Sequence, residues 1–102
     1  MSMERNIITI NEYGSIILPE DIAGIWMGEP ELVELFGVIA PALRAAIRAV
    51  YKSGVLNEYK VQKYIQLNNG CHADVFSFQM IVALAFRIDS FGAEQVRKLL
   101  FE

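Results

Sequence analysis

Three basic side chains recur at the spacing of one helical face in the middle of the chain. Arg44, Arg48 and Lys52 lie four residues apart, so an α-helix would align them in one stripe. Arginine can hold a guanine edge or a phosphate through a forked pair of hydrogen bonds. The stripe therefore predicts contact with nucleic acid. The alternative is a solvated face, on which Lys52 complements the C-terminus of the helix.

The charge of the chain is divided along its length. Residues 1–40 carry seven acidic residues and one basic residue, a net charge of −6. Residues 41–66 carry five basic residues and one acidic residue, a net charge of +4. The overall charge of −3 argues against indiscriminate binding to nucleic acid. Chance clustering in a short chain is the alternative to a functional division.

Catalysis and metal binding have few candidate residues. Cys71 and His72 are the only cysteine and the only histidine, and neighbours in a strand point to opposite faces. A catalytic pair must converge on one site, and a structural zinc ion needs about four ligands. The glycines are scattered and form no phosphate-binding loop. We expect no enzyme activity, no metal site, no cofactor and no small-molecule substrate.

Length and composition predict one domain, residues 1–102. The longest apolar run is far shorter than the roughly 20 residues that cross a bilayer, so we expect no membrane association. The first residues do not resemble a secretion signal, and a single cysteine cannot form an internal disulfide. These features predict a cytoplasmic protein.

Two helices are predicted at residues 29–54, and the basic stripe lies on the second. Pro30 begins the first helix among acidic residues, and Gly37 ends it. Pro41 and Gly54 bound the second helix in the same way. Apolar residues at helical spacing predict its buried side: Leu43, Ile47 and Val50.

Strand-forming sequence precedes the two helices. The β-branched runs at residues 6–10 and 16–18 flank turn residues and predict an N-terminal β-hairpin. Residues 24–27 predict one more short strand, so the hairpin and this strand make up residues 1–28.

A second hairpin is predicted at residues 61–78, after a linker at residues 55–60. Its turn is Asn68-Asn69-Gly70, whose residues tolerate positive φ. A three-residue loop containing Gly70 sorts the apolar side chains onto one face. The expected register pairs Ile65 with Val75 and Tyr64 with Phe76.

Helices are predicted for the C-terminal residues 79–102. Residues 79–86 are almost wholly apolar and predict a buried helix. Residues 89–92 break it, and residues 93–101 form the last helix. This region holds more apolar residues than a small core easily hides, which predicts a homodimer: Met80 to Phe86, Val96, Leu99, Leu100 and Phe101.

Two helices followed by a hairpin are the arrangement of a winged helix. The predicted fold is therefore α+β: a winged helix-turn-helix with an N-terminal β-hairpin and C-terminal helices. In a helix-turn-helix the second helix enters the major groove of DNA. The residues expected to contact double-stranded DNA are Ile39, Ala40, Pro41, Arg44, Ala45, Arg48 and Lys52 on the second helix, and Lys63, Asn68 and Asn69 on the hairpin.

Two short motifs stand out in the chain: ELFGV at residues 34–38, which is followed by Pro41, and FRIDS at residues 86–90. Both resemble segments of the RhuM-type virulence-associated proteins of bacteria. The resemblance covers roughly residues 25–99 and implies a winged helix-turn-helix that is DNA-binding-like. The second helix departs from the family because it begins with alanines, which can touch a thymine methyl but cannot read hydrogen-bonding edges.

Two functions are consistent with the sequence. The basic stripe and the divided charge favour a DNA-binding module of the transcriptional-regulator type. The hydrophobic content of 54% and the acidic total favour a protein–protein interaction domain that has a winged-helix fold and binds no nucleic acid.

Overall fold

Helices and two small antiparallel sheets make up the chain in a computed structural model, which describes residues 6–100. The predicted α+β class is confirmed. The strands are β1 (Thr9–Ile10), β2 (Ile16–Ile17), β3 (Trp26–Gly28), β4 (Gln62–Gln66) and β5 (His72–Ser77). The helices are α1 (Glu29–Phe36), α2 (Ala40–Ser53), α3 (Glu58–Val61), α4 (Phe78–Ala85) and α5 (Phe91–Leu100).

The N-terminal hairpin is confirmed. β1 and β2 pair antiparallel, with Ile10 opposite Ile16. The Asn11 side-chain oxygen accepts the N–H groups of Tyr13 and Ser15 at 2.9 and 3.0 Å, so it stabilises the turn.

The third strand begins two residues later than expected and joins a different sheet from β1 and β2. Residues 22–24 form a 3₁₀ turn, because the Asp21 carboxylate accepts the Gly24 N–H at 3.2 Å. β3 then pairs antiparallel with β5, with Met27 opposite Phe76. The strand order of this sheet is β3-β5-β4.

The second hairpin is also confirmed, but its predicted register is wrong by two residues. The Leu67 N–H donates to the Cys71 carbonyl at 2.6 Å and so closes a three-residue loop at residues 68–70. A shift of two residues leaves every side chain on the same face, so apolar alternation cannot detect it. The observed pairs are Ile65 with Ala73, Tyr64 with Asp74, Lys63 with Val75 and Gln62 with Phe76.

α1 and α2 begin and end close to where the sequence predicted. At the start of α1, the Glu31 carboxylate accepts the Gly28 N–H at 2.9 Å. Gly37 ends α1 in the left-handed conformation, with φ of 66°, which is accessible to glycine without strain. Gly54 follows α2.

Two boundaries differ from the sequence prediction. The linker at residues 55–60 contains most of α3, whose first turn is capped by the Asn57 side-chain oxygen accepting the Tyr59 N–H. α5 begins at Phe91 rather than at residue 93, because the Ser90 hydroxyl accepts the Ala93 N–H at 3.1 Å and caps the helix. Gly92 therefore lies inside α5.

One hydrophobic core joins both sheets to the helices, with main contributions from α1, α2 and α4. Within residues 6–100, no helix is long and apolar enough to cross a membrane. The apolar residues that suggested a dimer are mostly used inside one chain: Met80, Ile81, Leu84, Ala85 and Val96 are buried, Leu99 and Leu100 are half-buried, and Phe101 lies outside the described residues. The homodimer stays a prediction.

Candidate nucleic-acid interface

The outer face of α2 carries the three cations of the basic stripe. Arg44, Arg48 and Lys52 are all exposed. The opposite side of α2 is anchored in the core by the three predicted apolar residues, Leu43, Ile47 and Val50. This division places the charged side chains on a rigid helix whose orientation is fixed by packing.

Arg44 forms an ion pair that sequence reasoning missed. One of its guanidinium nitrogens lies 2.6 Å from a carboxylate oxygen of Glu29 at the start of α1. Within residues 6–100, the side chains of Arg48 and Lys52 form no ion pair or hydrogen bond. The two partners are separated by 15 residues, and only the corner between α1 and α2 brings them together.

The corner residues form an apolar surface next to the basic stripe. Ile39, immediately before α2, is 70% exposed. Pro41 and Ala45 are exposed as well, whereas Ala40 is half-buried. This end of α2 can approach another surface closely and offers methyl groups rather than hydrogen-bond donors.

The hairpin carries the remaining predicted contact residues. Lys63 is exposed, and its ammonium group lies 4.1 Å from the centroid of the Trp26 ring, a cation–π contact. Asn68 and Asn69 are exposed at the loop. The Asn69 side-chain oxygen accepts the Cys71 N–H at 3.0 Å, which stabilises the loop.

Cys71 and His72 lie at the same end of the hairpin. Cys71 is exposed, and the His72 ring stacks on the Tyr64 ring with centroids 4.9 Å apart and planes 4° from parallel. In the part of the chain that the structure describes, no three His, Cys, Asp or Glu side chains are grouped to hold a metal ion.

An aromatic and acidic groove lies between α3 and the β4–β5 hairpin, and the sequence analysis did not predict it. The Tyr51 hydroxyl of α2 donates to the Gln62 side-chain oxygen of β4 at 2.7 Å. Burial, together with the negative charges of Glu58 and Asp74, raises the pKa of Tyr51 to about 12. The sequence shows the tyrosines and the acidic residues of this groove, but only the observed β4–β5 register brings them together.

No family model, no curated protein and no solved structure matches this chain.

Proposed function

We propose that the chain is a DNA-binding domain built as a winged helix-turn-helix. α1 and α2 are the helix pair, α2 lies in the major groove, and the β4–β5 hairpin is the wing. The strand before the helix pair, β3, joins the sheet through β5, so the hairpin is held against the helices as a wing requires. The resemblance to the RhuM-type family is part of this proposal.

The observation that carries the proposal is the exposed basic face of α2. Three cations on successive turns match the geometry of a helix that follows a phosphate backbone or enters a groove. Arg48 and Lys52 are free of partners within residues 6–100, so binding to DNA costs them no existing interaction.

The chemistry of this surface favours backbone contacts over base recognition. Ala45 and Pro41 offer no donors to base edges, and Arg44 must exchange or share Glu29 before it can bind a phosphate. Affinity is then dominated by counterion release, with little preference for sequence. Asn68 and Asn69 at the hairpin loop add polar contacts to the backbone or to the minor groove.

Salt dependence of duplex binding tests the proposal. Affinity for a labelled duplex of mixed sequence is measured by fluorescence anisotropy from low to moderate salt. Arg48→Ala should make the slope of log affinity against log salt shallower by about 0.9, because one phosphate contact is lost. Lys98→Ala is the matched control, since Lys98 is exposed on α5, away from the basic stripe, and pairs with Glu94 at 3.7 Å.

The double variant R44E/R48E tests whether α2 is the binding helix. Arg44→Glu replaces the exposed ion pair with Glu29 by two facing carboxylates, which should cost about 1 kcal/mol of stability. The circular dichroism spectrum should still be that of the folded protein. Duplex binding should be abolished, because two attractions become two repulsions. A folded double variant that binds as the parent does would remove α2 from the interface.

A second candidate function is protein–protein interaction through the same fold. Its support is the exposed apolar corner at Ile39 together with the neutralisation of Arg44 by Glu29. Absence of duplex binding by the parent protein at low salt would favour this function. Ile39→Asp should then weaken partner binding, and the homodimer prediction is checked by light scattering on the same samples.

A further inference from the structure

A groove lies on the wing between α3 and the two hairpin strands. Its volume is about 350 Å³, within the range of small ligand sites. We call it the tyrosine groove, and its lining residues are Glu58, Tyr59, Gln62, Lys63, Tyr64 and Asp74.

Two tyrosine rings in the tyrosine groove are exposed to solvent. Tyr59 is 89% exposed and Tyr64 is 68% exposed. His72 stacks on one face of the Tyr64 ring and does not line the groove. The stack fixes the orientation of Tyr64 and leaves the rest of the ring open toward the groove.

Two carboxylates of the tyrosine groove have no partner in the described chain. Asp74 lies opposite Tyr64 in the strand pairing and shares its face of the sheet. Within residues 6–100, neither Asp74 nor Glu58 forms a side-chain hydrogen bond or an ion pair. Burial is the main cause of the raised pKa of Tyr51, and the negative charges of both carboxylates are smaller contributions in the same direction.

The one lysine that lines the groove does not neutralise these acids. Lys63 is the neighbour of Tyr64 along β4, so its side chain lies on the opposite face of the sheet from that of Tyr64. Its ammonium group lies over the Trp26 ring at 4.1 Å. The tyrosine groove therefore combines aromatic rings with unneutralised negative charge, which is complementary to a cation.

We propose that the tyrosine groove binds the guanidinium group of an arginine side chain presented by a partner polypeptide. A planar guanidinium can stack on Tyr64 or Tyr59 and donate a forked pair of hydrogen bonds to the Asp74 carboxylate. A lysine ammonium can do only part of this, because it neither stacks nor donates in a fork.

This site lies on the hairpin and shares Lys63 with the expected DNA contacts, but it does not include the basic face of α2 and does not depend on DNA binding. Glu58 and Asp74 repel phosphate, so a duplex bound to α2 gains nothing from the tyrosine groove. The partner surface is therefore a polypeptide with an exposed arginine, and the protein can hold it whether or not it binds DNA.

The test uses a short glycine–serine peptide with one central arginine and blocked ends. Amide chemical shifts of the full-length protein are followed by NMR during titration with this peptide. Shifts should concentrate at residues 58–64 and 72–76. The same peptide with citrulline, which keeps the shape and loses the charge, should bind at least tenfold more weakly.

Variants assign the interaction to individual side chains. Asp74→Asn should lower the affinity for the arginine peptide by roughly tenfold, as expected for the loss of one charged hydrogen-bonded pair. Tyr59→Ala should weaken it by about threefold, through loss of a cation–π contact. The matched controls are Glu12→Gln and Tyr13→Ala, which change an exposed acid and an 83% exposed tyrosine in the N-terminal hairpin.

Three results would overturn the proposal. The first is equal binding of the arginine and citrulline peptides, or of the arginine peptide and a third peptide that has lysine at the same position. The second is an Asp74→Asn variant that binds as Glu12→Gln does. The third is movement of the groove amides when the protein alone is diluted, which would assign the groove to a second copy of the chain. Duplex binding measured on Asp74→Asn separates this test from the proposed function, because it should not weaken.

Discussion

α5 and α2 are both amphipathic helices, yet they use their surfaces differently. α5 lies so close to α1 that a Cβ atom added at Gly92 would overlap the Leu35 carbonyl oxygen and approach the Phe36 Cα to 2.9 Å. α2 buries one stripe and leaves its basic face open to solvent. Close packing constrains the buried side of α5, which consists of Gly92, Ala93 and Val96. On the outer face of α2, the Arg44–Glu29 ion pair is an exposed contact that contributes little to folding. The contact between α5 and α1 therefore holds the fold together, whereas the exposed faces of α2 and the hairpin are the surfaces that the two proposals use.

The largest effect is expected for Gly92→Ala. The added methyl group must push α5 away from α1, because the atoms it meets are backbone and cannot rotate aside. We expect a loss of about 3 kcal/mol in the free energy of unfolding, measured by urea denaturation. Gly37→Ala is the matched control: nothing lies within 4 Å of its Cβ position, so only the left-handed backbone costs energy, about 1 kcal/mol. Equal losses at the two glycines would contradict the close contact.

A smaller loss is expected for Arg97→Met. The Arg97 guanidinium donates to the carbonyl oxygens of Ala85 and Ile88, the latter at 3.0 Å, and so joins α5 to the end of α4. Hydrogen bonds from a charged donor are typically worth about 2 kcal/mol, and methionine keeps most of the packing volume. Arg87→Met, at an exposed arginine beyond the end of α4, should change the free energy of unfolding by less than about 0.5 kcal/mol. If both variants unfold at the same urea concentration, Arg97 does not tie the helices.

The sequence predicted local structure better than it predicted which distant residues lie close together in the fold. The ends of α1 and α2 were predictable because Pro30, Gly37 and Gly54 act on the backbone locally. The prediction that Gly92 breaks a helix was wrong. A glycine is needed there because α5 contacts α1 closely, and no local sequence pattern reveals that contact. The three-residue loop was predictable, whereas the strand register was not.

The candidate sites divide in the same way. The basic stripe of α2 follows from helical spacing, so Arg44, Arg48 and Lys52 could be assigned to one face from the sequence. The Glu29 partner of Arg44 depends on the angle of the α1–α2 corner. The tyrosine groove depends on the pairing of Tyr64 with Asp74. Both features arise from residues that are distant in sequence.

The smallest effect is expected for Ser77→Ala, at the junction between the hairpin and α4. Ser77 occupies the N-cap position of α4, but its hydroxyl oxygen is buried and has no hydrogen-bond partner within residues 6–100. An N-cap serine usually contributes about 1 kcal/mol, whereas a buried hydroxyl without a partner opposes folding. Removal of this hydroxyl should therefore leave the free energy of unfolding unchanged or raise it by up to about 1 kcal/mol. Ser90→Ala is the matched control, because the Ser90 hydroxyl does accept the Ala93 N–H, and it should lose about 1 kcal/mol. Urea midpoints at equal slope give both values, and a Ser77→Ala loss as large as that of Ser90→Ala would mean that the Ser77 hydroxyl caps α4 in solution.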